Sequence, residues 1–150
     1  MKSCCFLGSS KDDFTNRKEC IQRIIESLIV ENGVTQFYCG NRGAFDLVCS
    51  SIVGELREKY PDIKNTHVLS YRPKEDYCMA QRYTDSVYLL ERYVPPRFAI
   101  LETNKSMVDK SDFVVVSTRL SFGGARTARD YAEKKGKMIL DVDELFKNVK

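Results

Sequence analysis

Apolar residues in this chain follow two alternating rhythms. Short continuous runs, Cys4 to Leu7, Val34 to Cys39 and Asp112 to Ser117, have the length and side-chain content of strands covered on both faces. Longer stretches repeat every three to four residues instead. Ile21, Ile24, Ile25, Leu28 and Ile29 share one face of a helix predicted from about Arg17 to Glu31, and Asn32-Gly33 stops it. Phe45, Val48, Ile52, Val53 and Leu56 do the same in a helix from about Ala44 to Lys59, before Pro61. Asn65 to Tyr71 predicts a third strand. From Arg72 to Arg92 charge and tyrosine are mixed, and only Ser86 to Leu90 suggests a short strand, the rest being loop or broken helix. Pro95-Pro96 introduces a helix from about Arg97 to Lys110, Ala125 to Lys135 predicts another ended by Gly136, and Met138 to Asp141 closes as a strand.

Strand and helix in alternation, with continuous apolar strands, predict an α/β fold: a three-layer, Rossmann-like domain with a mostly parallel sheet. In such sheets ligands bind beyond the carboxyl ends of the strands, where strand order reverses. Three glycine-bearing loops follow strands and therefore converge on that edge. They contain Gly8-Ser9-Ser10, Gly40-Asn41-Arg42-Gly43, and Gly123-Gly124 ahead of Ala125-Arg126-Thr127. Glycines let backbone approach a ligand closely, and the N–H groups of a helix start face a negative group, so the last loop reads as an anion cradle.

Composition narrows the picture. At 150 residues and 43% apolar content the chain suits one domain over residues 1–150. A formal charge of +3, with 24 basic residues offset by 21 acidic ones, argues against nucleic acid as partner on bulk electrostatics. The six cysteines, Cys4, Cys5, Cys20, Cys39, Cys49 and Cys78, lack C-x-x-C spacing, and His67 is the only histidine, so no zinc site is expected. Several cysteines fall within apolar runs, which reads as free thiols in a reduced, cytoplasmic setting. No signal-peptide pattern or membrane-spanning run is present.

The succession Cys5-Phe6-Leu7-Gly8-Ser9-Ser10, Gly40-Asn41-Arg42-Gly43-Ala44-Phe45-Asp46, Asn104-Lys105-Ser106-Met107-Val108-Asp109-Lys110-Ser111-Asp112 and Gly123-Gly124-Ala125-Arg126-Thr127 resembles the SLOG superfamily. Its nearest likeness is to short bacterial and phage proteins of unassigned function. The resemblance covers nearly the whole chain and implies binding of a nucleotide or nucleotide-derived ligand at the strand-end edge. SLOG relatives include phosphoribohydrolases, sensors of nucleotide signals in defence systems, and a branch that binds single-stranded DNA. The enzyme branch carries a P-G-G-x-G-T-x-x-E signature. Here no proline precedes Gly123-Gly124, and Asp130 stands three residues after Thr127 where the glutamate would be. Thr103 replaces the arginine expected before Asn104.

These observations define a candidate site. Ser9 and Ser10 either donate hydroxyl hydrogen bonds to a phosphate or cap a turn, and Arg42 either pairs with a phosphate or is solvated. Asp46 either accepts from a ribose hydroxyl, as acidic residues do in dinucleotide sites, or is a carboxylate favoured by the helix dipole. Asn104 is either a ligand-facing amide or a polar residue on a helix exterior; Arg126 and Thr127 would supplement the cradle. Asp109 and Asp112 read as caps. Glu102 and Asp130 are the candidate catalytic carboxylates for N-glycosidic cleavage, Glu102 only if its helix faces the cleft. Tyr71, Tyr77, Tyr83, Tyr88 and Tyr93, interleaved with Arg72, Arg82, Arg92 and Arg97, either stack on a base and hold its phosphates or form a subunit interface. SLOG relatives are commonly oligomeric, so a homo-oligomer is expected through this segment. The sequence thus favours a binder that senses or sequesters a nucleotide-derived, defence-related signal and needs no cofactor. A phosphoribohydrolase-like enzyme is the alternative, and a single-stranded nucleic-acid binder the third.

Overall fold

The computed structural model describes residues 2–8, 12–40, 43–117 and 124–149, the last four as backbone alone. Six strands, β1 (Lys2–Gly8), β2 (Val34–Cys39), β3 (Lys64–Leu69), β4 (Asp85–Tyr88), β5 (Phe113–Ser117) and β6 (Met138–Asp141), form one sheet in the order β4-β3-β2-β1-β5-β6. Every pairing is parallel. Helices α1 (Lys18–Asn32), α2 (Ala44–Leu56), α3 (Pro96–Lys110), α4 (Gly124–Lys134) and α5 (Val142–Val149) supply the crossovers and cover. This is the expected three-layer, Rossmann-like architecture, with the sheet parallel throughout. No helix among the described residues is long and apolar enough to cross a membrane.

The central strand shows why its run is apolar without interruption. Cys4 and Phe6 point to one face, into a core shared with Ile21 and Ile25 of α1, Phe45 and Ile52 of α2, and Val142 at the start of α5. Cys5 and Leu7 point to the other, against Met107 and Val108 of α3 and Ala128 and Ala132 of α4. Alternating side chains therefore enter two cores, and polar residues have no place between them. Phe6 stacks on Phe37, with ring centroids 6.0 Å apart, and meets Phe45 edge-on at 6.4 Å. The second core uses small alanines instead, which lets α4 lie close to Val114 and Val116.

Both helix stops expected at glycine are made with left-handed backbone, φ 69° at Gly33 and 71° at Gly136. At the amino edge the Ser3 N–H donates to Asp112 Oδ2 over 3.0 Å, and Ser3 Oγ donates to the Lys110 carbonyl over 2.7 Å. These bonds tie β1 to the turn before β5 and put Asp112 at the end of the sheet opposite any strand-end ligand. All six cysteines are free thiols, five of them buried and Cys78 exposed.

Four expectations need correction. The first helix does not start at Arg17: Asp12 and Phe14 are buried and Thr15–Arg17 forms a 3-10 turn, so α1 starts at Lys18. The second helix ends at Leu56, three residues early, and the third strand at Leu69. Finally, β6 does not close the chain, because α5 follows it without a loop. Asp141 Oδ1 accepts the Asp143 N–H at 2.9 Å, a capping bond at that helix start.

Candidate functional site

Strand order reverses between β1 and β5, since β2, β3 and β4 extend to one side of β1 and β5 and β6 to the other. A doubly wound sheet opens a crevice at this point, because the crossovers on the two sides depart to opposite faces. Gly8 and Ser117, the last residues of β1 and β5, pair in register there. Of the residues expected at this rim, Ser9, Ser10, Arg42 and Gly123 lie outside the described residues.

Gly8 has a packing reason to be glycine. A Cβ on it would overlap Cβ, Cγ and Cδ2 of Phe45 in the first turn of α2, and Phe45 is itself held by Phe6 and by Phe14, whose ring centroid lies 5.1 Å away. The missing side chain thus brings the amino end of α2 onto the end of β1. Asp46 sits half-buried in that same turn. Its charge reaches the strands below: burial raises the thiol of Cys5 to about 12 and raises that of Cys39, and the Asp46 carboxylate adds to both shifts. Gly40 is buried at the end of β2, while Gly43 precedes α2 and its carbonyl accepts the Leu47 N–H at 2.9 Å.

On the β5 side the rim rests on a buried charge network that the sequence did not disclose. Arg17 is 4% exposed. Its guanidinium meets Asp12 Oδ2 at 2.8 Å, bonds Asp143 Oδ1, donates to the Asp13 carbonyl at 2.8 Å and lies 4.5 Å over the Phe14 ring. Ser117 Oγ donates to the same Asp143 carboxylate, 3.2 and 3.1 Å from its two oxygens. Beside this, Arg129 of α4 pairs with Asp141 at 3.1 Å. One arginine therefore clamps the segment after β1, the end of β5 and the start of α5 together. Arg17 and Asp143 are 126 residues apart, so no local spacing could have signalled that pair.

The helix after β5 begins at Gly124, which is exposed, and among the described residues a Cβ there would meet nothing within 4 Å. Arg126 and Thr127 are exposed in the same first turn. The two catalytic candidates lie along helix flanks. Asp130, half-exposed, forms an i,i+4 pair with Arg126 at 3.7 Å. Glu102 lies 3.9 Å from Lys105 one turn along α3, and its charge is felt by Tyr131 of α4, so it belongs to the seam between α3 and α4. In that seam Tyr131 donates to Asp109 at 2.7 Å, the largest reason its hydroxyl is pushed up to about 12. Asn104 is buried with Thr103 on the inner face of α3, which removes its reading as a residue on the helix exterior.

The tyrosine and arginine segment divides in two. Tyr83 is core: it stacks on His67 with centroids 4.9 Å apart, and His67 Nδ1 is 2.8 Å from the Tyr77 hydroxyl. Arg82 Nε donates to Ser50 Oγ at 2.8 Å, and its backbone lies so near Gly54 of α2 that a Cβ there would come 2.9 Å from the Arg82 Cβ. Asn65 Nδ2 joins the two by donating to the carbonyls of Ser50 and Arg82, at 3.0 and 2.9 Å. Of the rest, Tyr71, Arg72, Tyr88, Arg92 and Tyr93 surround a cleft at the ends of β3 and β4, while Arg97 lies 4.8 Å over the Phe98 ring of α3.

No protein-family model and no curated protein matches this chain. Among solved structures it is similar to the X-ray structure of DNA processing protein A (DprA) from Streptococcus pneumoniae, with a TM-score of 0.63 at 15% sequence identity. The match covers 94% of this chain and 50% of that one, so this chain spans half the length of the similar protein. What the likeness carries is the fold, a Rossmann-like domain whose strands end at a common edge.

Proposed function

We propose that this chain binds a nucleotide-derived small molecule across the carboxyl ends of β1 and β5 and releases it chemically intact, so acting as a sensor or a sequestering protein. The observation that carries this reading is the meeting of Gly8 and Ser117 at the strand-order reversal, with the open amino end of α4 on the same rim. A helix start offers N–H donors and a positive partial charge to a phosphate, and Arg126 and Thr127 stand in that turn to add side-chain donors. Asp46, half-buried in the first turn of α2, suits a ribose hydroxyl.

Release without cleavage is supported by where the carboxylates are. Breaking an N-glycosidic bond needs a carboxylate within reach of the anomeric carbon or of the attacking water. Glu102 and Asp130 lie on helix flanks beside Lys105 and Arg126, Asp12 and Asp143 are held by Arg17, and Asp46, the carboxylate left at the rim, is assigned to the ribose hydroxyl. The test is incubation with nucleoside monophosphates, ADP-ribose and cyclic nucleotide signals, followed by denaturation and chromatography. Intact ligand is expected. Steady release of free base, lost in Glu102→Ala or Asp130→Ala, would establish the enzyme instead.

Single-stranded nucleic acid is a second reading, favoured by the likeness in fold to DNA processing protein A. Binding of a labelled oligonucleotide that weakens steeply with salt would support it, because phosphate contacts release counterions.

A further inference from the structure

We propose that the cleft at the carboxyl ends of β3 and β4 is a second, separate binding site, and that its ligand is a nucleoside monophosphate. The proposal stands apart from the reading of the β1–β5 rim and rests on different residues. The cleft encloses about 320 Å³, near the lower end of the roughly 300–1,000 Å³ spanned by small-molecule pockets. That volume suits one nucleotide rather than a strand. Its wall contains a planar-ring surface, positive groups and a helix start, the three features that a base joined to a phosphate requires.

Tyr71, Tyr88 and Tyr93 provide the rings. Tyr93 is 83% exposed, an unusual position for a large aromatic side chain on a chain that buries most of its phenylalanines. Tyr71 is held in place by its hydroxyl, which donates to the Pro96 carbonyl at 3.3 Å and so joins the end of β3 to the start of α3. Positive charge comes from Arg72 and Arg92. The Arg72 guanidinium lies 5.0 Å over the Tyr88 ring, a cation–π contact that holds it at the cleft, and a guanidinium can bind a phosphate in a fork. Pro96 and Ala99 place the amino end of α3 on the cleft, and the helix dipole adds positive potential there. Glu91, the one carboxylate in the lining, offers an acceptor for ribose hydroxyls or a base amino group. These polar groups converge on a floor made partly by Leu90 and Ala99, both buried.

The experiment is an amide NMR titration of the intact protein with the four nucleoside monophosphates, with unphosphorylated nucleosides and inorganic phosphate as controls. Saturable shifts are expected at Arg72, Tyr88, Arg92, Tyr93 and Ala99 with at least one monophosphate. The matching nucleoside should bind at least ten-fold more weakly. The shifts should persist in Gly124→Val, which alters only the β1–β5 rim, and affinity should fall at least ten-fold in Arg72→Gln/Arg92→Gln. No saturable shift at these residues up to millimolar ligand would overturn the proposal. So would shifts that move only at Gly8, Asp46 and Gly124, or equal affinity for nucleoside and monophosphate. A hexanucleotide binding more than ten-fold tighter than any monophosphate would replace the assigned ligand with a nucleic-acid strand.

Discussion

Two stretches of the same sheet edge treat charged residues in opposite ways. Beside β1, β5 and β6, Arg17 is buried against Asp12 and Asp143, and Arg129 is held against Asp141. Beside β3 and β4, Arg92, Tyr71 and Tyr93 stand exposed around a cleft. A buried pair loses much of its attraction to desolvation but becomes indispensable once made, because removing one partner leaves a charge stranded. Exposed arginines contribute little to folding and are available for a ligand. The first stretch therefore uses charge to fix where the rim loops leave the sheet, and the second uses it for contact.

The comparison breaks first if Arg17 proves dispensable. Arg17→Ala leaves two carboxylates under the rim without their cation and should cost about 3–5 kcal/mol in urea denaturation. A loss below about 1 kcal/mol would show that the network does not hold the rim. Gly8→Ala comes next. Its methyl would press into the Phe45 ring, for an expected cost of about 1–3 kcal/mol that shrinks in a Phe45→Ala background. At the other cleft, Arg72→Gln should change stability by no more than about 0.5 kcal/mol, since it removes only a partly exposed stacking contact. The mildest probe leaves stability untouched. At pH 8, Cys78 should react with a thiol reagent at once, whereas Cys4, Cys5, Cys39 and Cys49 wait for unfolding, because burial keeps each of them protonated as well as inaccessible. Fast labelling of Cys39 would mean that the sheet beneath Asp46 opens more readily than its packing implies.

How much of this could be read from sequence depends on the range of the interactions involved. Apolar runs revealed β1 and β5, because most positions of a strand covered on both faces enter a core, and Phe37-Tyr38-Cys39 marked β2 despite Thr35 and Gln36, whereas β3 buries Asn65, Thr66 and His67. The two periodic helices were legible for the same local reason, and of the marked faces Ile21, Ile25, Ile52 and Val53 are all fully buried. The α5 helix was passed over although Asp141 at its cap, with Asp143 and Glu144 in its first turn, is a start signal; the strand directly before it masked the pattern. Gly8 was legible as a close-approach glycine, but what approaches it is Phe45. Arg17 was not legible, because its partner Asp143 belongs to the far end of the chain. Tyr83 and Arg82 were grouped with the exposed tyrosines and arginines by composition, although His67, Ser50 and Asn65 draw them into the fold.

The central claim is that the β1–β5 rim holds a nucleotide-derived ligand and leaves it whole. Its most direct test is mass spectrometry of small molecules released by denaturation from protein that has been incubated with a deproteinised cell extract and washed. The wild-type chain should release an intact nucleotide-derived molecule, and Gly124→Val, whose side chain would meet none of the described residues and which should therefore fold normally, should release none. An empty wild-type protein, equal recovery from Gly124→Val, or recovery of free base with ribose phosphate would contradict the account.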